Sequence, residues 1–380
     1  MKTNKFMTYA LSAMMLGSLA ACSSDDSEPD NGGNSGGETT DTPYVWGTEG
    51  SIKTCDHLLF NEDKSENKKG TVIGNGDQEF VFKGTQTLAK GTYLLKGWVY
   101  VGAGSTLTIE PGTVIKGDKD TQAALIIEPG GKLIAEGKQD APIVFTSEMP
   151  KGQRKPGDWG GLIICGNARV NRTNQPTIEG GPGTHYGNTT SDEFNGESSG
   201  KLKYVRIEFA GYPLEPDKEI NGLTFGGVGS GTEVEFVQVS YSNDDSYEWF
   251  GGTVNAKHLI AYKGWDDDFD TDYGYTGKLQ FLLSVRDKDI ADTSDSNGFE
   301  SDNDGDGSTN TPFTKPVFSN VTLIGPFYGK VSDRTQAEVE AKTADAANGA
   351  KGGKYQAAMH LRRNSSLNVY NSVFTGWPYG

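Results

Sequence analysis

Three acids recur in one local setting along this chain: Glu248 follows Tyr247, Asp270 follows Phe269 and Glu300 follows Phe299. The first two pairs are 22 residues apart, and the third lies 30 further on, an insertion of eight. Aligning the glycines around them also sets Asp244 over Asp266, Asp245 over Asp267 and Asp272 over Asp302. Carboxylates stacked in this way repel unless a cation bridges them or they share a proton. Two chemistries use such a group. Ca²⁺ takes roughly six to eight oxygens, and paired carboxylates serve as acid and base in glycoside hydrolysis. Glu248, Asp270 and Glu300 are therefore the catalytic candidates if the protein is an enzyme. Asp245 and Asp267, with Trp249, Trp265 and Tyr273 beside them, are the ligand-binding candidates, because an aromatic face stacks on a sugar ring. The competing reading of these aromatics is core stacking, which suits Phe250 and Phe269 better than the two tryptophans. Asp302, Asp304 and Asp306 open a D-x-D-x-D-G loop and are the metal candidates. Phe313 stands where an EF-hand needs its bidentate Glu, so the expectation is a calcium-stabilised loop of another kind, against a merely solvated acidic turn.

Stacked acids require an architecture that brings distant residues into vertical register. Ile109-Glu110-Pro111-Gly112 recurs as Ile127-Glu128-Pro129-Gly130, an offset of 18 residues. Val237-Gln-Val239, Leu259-Ile-Ala261 and Phe281-Leu-Leu283-Ser-Val285 continue the pattern as short alternating strands at 22-residue offsets. Val321 to Ile324 and Leu367 to Tyr370 extend the series after insertions. Repeats of this length, rich in strands and bounded by turns, are too short for propeller blades and lack the leucine-rich pattern. The fold class they specify is all-β, a parallel β-helix with surface loop insertions, each coil adding a rung to several parallel sheets. Gln336 to Ala347 reads as a helical insertion between coils, and Gly180 to Gly200 as a loop that overhangs the flank and walls a groove. The last strand runs into Pro378-Tyr379-Gly380 without a polar cap, so a continuing chain or a covering partner is expected there.

The phrases TLTIEPGTVIKG, APIVFTS at 141–147, GDWGGLII at 157–164 and the long run at 221–252 resemble the right-handed β-helix lipoproteins with the pectate-lyase-like fold. The resemblance covers about residues 90–380 and implies a fold rather than a reaction. Enzymes of that fold use Ca²⁺ and a basic residue to abstract a proton, and Arg362 or His360 is the candidate base it implies here. In the repeat alignment, Arg362 falls beside Asp302 and His360 beside Glu300.

The N-terminus supplies an address. Lys2 and Lys5 precede an apolar run from Phe6 to Leu19, too short to span a bilayer and shaped like an export signal. Its close, Leu19-Ala20-Ala21-Cys22, resembles a bacterial lipobox, which would lipidate Cys22. Cleavage near Ala21 with an incidental cysteine is the other reading. Residues 23–43 hold six acids and no base, so they form a tether that cannot bury a core. The run Ser24-Asp25-Asp26-Ser27-Glu28 resembles the surface-export signal of Bacteroidota-type lipoproteins, and a periplasm-facing linker is the plainer alternative. The expected organisation is a signal at 1–21, a tether at 22–43, a capping segment at 44–89 and the β-helix at 90–380.

With 35 basic against 51 acidic residues the chain carries −16, which argues against a nucleic-acid partner. Fifty-two glycines in 380 residues, about twice the usual share, fit many tight turns. Cys55 and Cys165 could pair in an oxidising compartment or remain buried thiols. His57, His185 and His258 lack zinc spacing, and no organic-cofactor motif appears. The expectation is an outer-membrane lipoprotein, facing outward, that binds a glycan or other extracellular ligand with calcium as its cofactor. An outer-membrane transporter is the partner this suggests. A polysaccharide lyase or glycoside hydrolase and a structural adhesin are the alternatives.

Overall fold

The computed structural model describes residues 43–379 apart from 50–51, 182, 216–217, 289, 293 and 327–354. The signal, lipobox and tether, and the expected helix at 336–347, lie outside these residues. The described chain from Pro43 onward forms one compact unit built of stacked coils.

Among the described residues, sheet 1 has eleven strands and sheet 2 has fifteen. Along sheet 1 the strands Trp98–Val101, Ala124–Ile127, Gly161–Cys165, Leu223–Gly226, Tyr247–Phe250, Phe269–Asp272, Phe299–Ser301 and Met359–Leu361 follow one another in parallel. Parallel stacking also reaches back through Phe80–Phe82 to Ile52–Cys55, before residue 90. An antiparallel Trp46–Glu49 strand closes that end.

Alternation decides which side chains fill the coil. Val99, Leu125, Leu162, Leu223, Tyr247, Phe269 and Phe299 form one inward column, and each is essentially inaccessible to solvent. Burial of this kind is worth roughly 1.5–3 kcal/mol per large apolar side chain. The next residue on each strand points outward.

Sheet 2 wraps two sides of each coil, and its corner changes along the axis. In the early coils the corner is a turn such as Glu110-Pro111-Gly112, with Gly112 at φ 81°. From residue 200 on, single long strands such as Gly200–Glu208 and Glu233–Ser240 bend at one residue in the left-handed region. These residues are Tyr204, Phe236, His258, Phe281 and Asn320, at φ 48–61°. The strain this costs non-glycine residues is offset by ring stacking, with Tyr204, Phe236, His258 and Phe281 at successive centroid distances of 4.6, 4.4 and 4.9 Å. Their faces are occupied by one another, so this column is a brace rather than a sugar platform. Cys55 and Cys165 are both buried and unpaired, so the disulfide considered from the sequence does not form.

Candidate acidic ladder

The site is the outer face of sheet 1. Its register carries one outward column from Ile126 through Ile163 and Thr224 to Glu248, Asp270, Glu300 and His360. The three acids aligned by spacing are thus direct parallel neighbours, on strands about 4.8 Å apart. A segment after the Gly161–Cys165 strand lies on the earlier part of this face. Its Val170, Ile178 and Tyr186 pack with Ile126, Ile163, Cys165 and Phe250. Gly226 permits that approach, since a Cβ there would meet Ile178 and Tyr186 at 2.8 Å. The loop around residues 180–187 therefore covers the apolar part of the face and borders the acids through Glu179, which repels Glu248.

A second column runs two residues ahead of the aromatic positions: Asn221, Asp245, Asp267 and Asn297. Asp245 Oδ1 accepts the backbone N–H of Asp267 at 2.8 Å, and Asp267 Oδ1 accepts that of Asn297. Asn297 Oδ1 in turn accepts the N–H of Ala357 at 3.1 Å. Each side-chain oxygen thereby caps the next coil. Asn297 shows that an amide suffices for this, so the charges of Asp245 and Asp267 are not needed to build the corner.

Those charges are costly where they sit. Asp245, Glu248 and Asp267 are at most 8% exposed, and ionised pairs near 4 Å cost about 4 kcal/mol each at an effective dielectric of 20. Burial first, then neighbouring acids, pushes Asp244, Asp245, Glu248 and Asp267 well above the usual carboxylate range. Burial likewise raises Asp270 to about 7, with Asp302 adding and Arg362 opposing. Glu300 rises to about 9 through burial and Asp270, again against Arg362. Two groups of carboxylates hold oxygens within 4.8 Å of one another: Asp244, Asp245 and Asp266, and Asp245, Glu248 and Asp270. Asn221 donates to Glu248, while the buried Asp270 Oδ1 has no hydrogen-bond partner.

The last rung differs. His360 Nδ1 lies 3.2 Å from Glu300, and Arg362 contacts Glu300 and grips Asp302 with two bonds of 3.0 and 2.8 Å. Arg363 adds a third bond to Asp302, at 2.6 Å. The spacing-based placement of His360 and Arg362 matches this geometry. Burial would lower the Arg362 pKa, but Asp302 and Glu300 together hold it above its ordinary value. A guanidinium so held does not accept a proton, which corrects the expectation of Arg362 as a base: it neutralises and positions two acids.

Two further expectations change. Trp249 points inward and is fully buried between Phe225, Tyr247 and Tyr275, at centroid distances of 5.6–5.8 Å. It belongs to the core and cannot stack on a ligand, because Glu248 before it takes the outward position. Trp265 is also buried, at 8% exposure, in the corner before the acids. Tyr273 does lie on the outer face, half-buried against Phe250 with Arg172 over its ring at 4.7 Å.

The D-x-D-x-D-G loop is satisfied by protein donors. Asp302 is taken by the two arginines, and Asp304 Oδ1 accepts the N–H groups of Asp306 and Ser308 at 3.1 and 2.9 Å. Burial opposes ionisation of Asp304, yet the Ser308 hydroxyl and these N–H groups hold its pKa below the ordinary value. Buried Asn303 ties the loop to Ser308, Asn310, Thr314 and Asn171. Asp306 is exposed. The three acids do not converge, so the calcium loop read from the sequence is a side-chain-capped turn, and the converging carboxylates lie on earlier rungs.

Asn221, Asn297, Asp268 and Arg286 were missed by the sequence reading. The two asparagines fall at the same offset from Leu223 and Phe299 as Asp245 does from Tyr247, a signal already present in the repeat.

Residues 81–380 match the family model of the pectate-lyase-like β-helix domain, and the chain belongs to that family. No curated protein and no solved structure matches it significantly. Among the described residues, no helix is long and apolar enough to cross a membrane.

Proposed function

We propose that this protein is a lipid-anchored, surface-exposed outer-membrane β-helix of the Bacteroidota type that binds a glycan or other extracellular ligand through a divalent cation, Ca²⁺, on the acidic ladder. The observation that carries the reading is the buried Asp270 Oδ1 without a partner, beside the oxygens of Asp245 and Glu248. The donor set fits the ion: hard carboxylate oxygens and, among the described residues, no ion pair of Asp245, Glu248 or Asp270 with a basic side chain. Asp245, Glu248 and Asp270 would hold it, with Asp244 and Asp266 alongside. When bound, the ion neutralises the ladder and offers coordination positions to ligand oxygens. Tyr273 and His360 flank the face and supply contacts for a polar ring.

Anchorage rests on Leu19-Ala20-Ala21-Cys22 and the acidic tether, and delivery to an outer-membrane transporter is the corresponding partner role. Labelling with a fatty-acid analogue tests the anchor: incorporation lost in Cys22→Ala supports it, and incorporation unchanged contradicts it. Calcium titration of the full chain by calorimetry tests the site. Saturable binding in the wild type, at least tenfold weaker in Glu248→Gln, is the expected outcome. Equal binding in both overturns the reading.

One observation favours hydrolysis as a second reading. Asp270 and Glu300 are parallel neighbours whose pKa values are both raised, to about 7 and about 9, a pair of perturbed carboxyls of the kind that shares acid and base work. Release of reducing sugar from a bound glycan, abolished in Glu300→Gln, would establish it, and binding without release leaves the protein a binder.

A further inference from the structure

We infer that Arg286, which lies between Asp270 and Glu300 in sequence but off the outer face that carries them, is the positioning residue that fixes the acidic corner and joins it to the final coil. The inference rests on the cation reading of the ladder. Arg286 follows the Lys278–Val285 strand, and its side chain is fully buried. One guanidinium nitrogen donates to the Asp266 carbonyl at 2.5 Å and to Asp268 Oδ1 at 3.0 Å, and the other donates to the Trp265 carbonyl at 3.0 Å. Ser284 donates to Asp268 from below, and Ser296 donates to the Trp265 carbonyl at 2.6 Å. One cation thus holds the backbone at Trp265 and Asp266 and the side chain of Asp268, on either side of Asp267. Burial would lower the Arg286 pKa, but Asp268 holds it above the ordinary value, so the charge persists.

The same guanidinium lies under the rings of Tyr355 and Trp377, at 5.1 and 6.0 Å. Tyr355 donates its hydroxyl to the carbonyls of Asp287 and Ile290. These aromatics belong to the coil that carries His360 and Arg362. Arg286 therefore ties the corner bearing Asp266 and Asp267 to the rung bearing the basic side chains, and sets the spacing between the two. Lysine keeps the charge but has no planar fork to span two carbonyls and a carboxylate.

Terbium is the probe, because Trp265 directly precedes Asp266 and can sensitise its emission. In the full-length wild type, Tb³⁺ binding with tryptophan-excited emission that Ca²⁺ displaces is expected, and the emission should fall in Trp265→Phe. Arg286→Lys should bind Tb³⁺ at least tenfold more weakly, and Tyr355→Phe, which keeps the ring and is the gentler change, about threefold. Val99→Ala, in the apolar half, should lower the melting temperature without changing affinity. Absence of binding in the wild type overturns the cation reading and this inference together. Wild-type affinity in Arg286→Lys and Tyr355→Phe, or an equal loss in Val99→Ala, overturns the inference alone.

Discussion

The two halves of the outer face of sheet 1 share one backbone register and carry opposite chemistry. In the first half Tyr100, Ile126, Ile163 and Cys165 point outward and are sealed by Val170, Ile178 and Tyr186. In the second half the same positions hold Glu248, Asp270 and Glu300, and among the described residues only the last is paired with basic side chains. A parallel coil is content with an apolar, covered face, so the acids are not a requirement of the fold. They are a local cost that the first half avoids.

Exchanging the chemistry of the halves breaks the comparison most severely. Ile163→Asp puts a carboxylate under the covering segment with no neighbour to hold a cation, and a loss of roughly 4 kcal/mol is expected in denaturant unfolding. Added calcium should not restore it. Recovery on adding calcium would mean that any acid on this face recruits the ion.

Removing one ligand from the second half comes next. Asp270→Asn should raise the midpoint of the metal-free protein while weakening calcium binding at least tenfold, read by melting with EDTA and by calorimetry. A lower metal-free midpoint would show that the carboxylate is structural.

pH sharpens the contrast further. The folded pKa values of Asp270 and Glu300 are raised, so their contribution to stability is complete below about pH 4 and is lost as pH rises through about 7 and about 9. In EDTA the melting temperature should fall from pH 5 to 9. The increment from saturating calcium should grow over the same window, because the ion binds the deprotonated groups. A pH-independent increment would contradict this assignment.

The smallest effect belongs to the turn whose acids have protein donors. Asp304→Asn keeps one acceptor oxygen and should cost about 1 kcal/mol without changing calcium affinity. A large loss of affinity would return the metal to that loop.

Much of this arrangement was legible in the sequence because a solenoid converts spacing into contact. The 22-residue offset alone put Glu248 beside Asp270, and the same rule placed His360 and Arg362 across a long insertion. Alternation also carried an unread signal: if Glu248 faces out, Trp249 must face in. The Asp302–Asp306 loop misled because the motif specifies oxygens and not the donors that occupy them, and here Ser308 and two arginines do so. Arg286 was illegible for a different reason. Its partners lie on two other coils, and a buried guanidinium bonded to carbonyls leaves no pattern in the residues it touches.

The most direct test is Asp245→Asn, which retains the oxygen that caps Asp267 and removes only the charge shared by both carboxylate groups. Melting curves with EDTA and with calcium should show the wild type rising on calcium, and the variant already higher in EDTA and indifferent to the ion. A variant that melts below the wild type in EDTA and still responds fully to calcium would contradict the cation-held ladder.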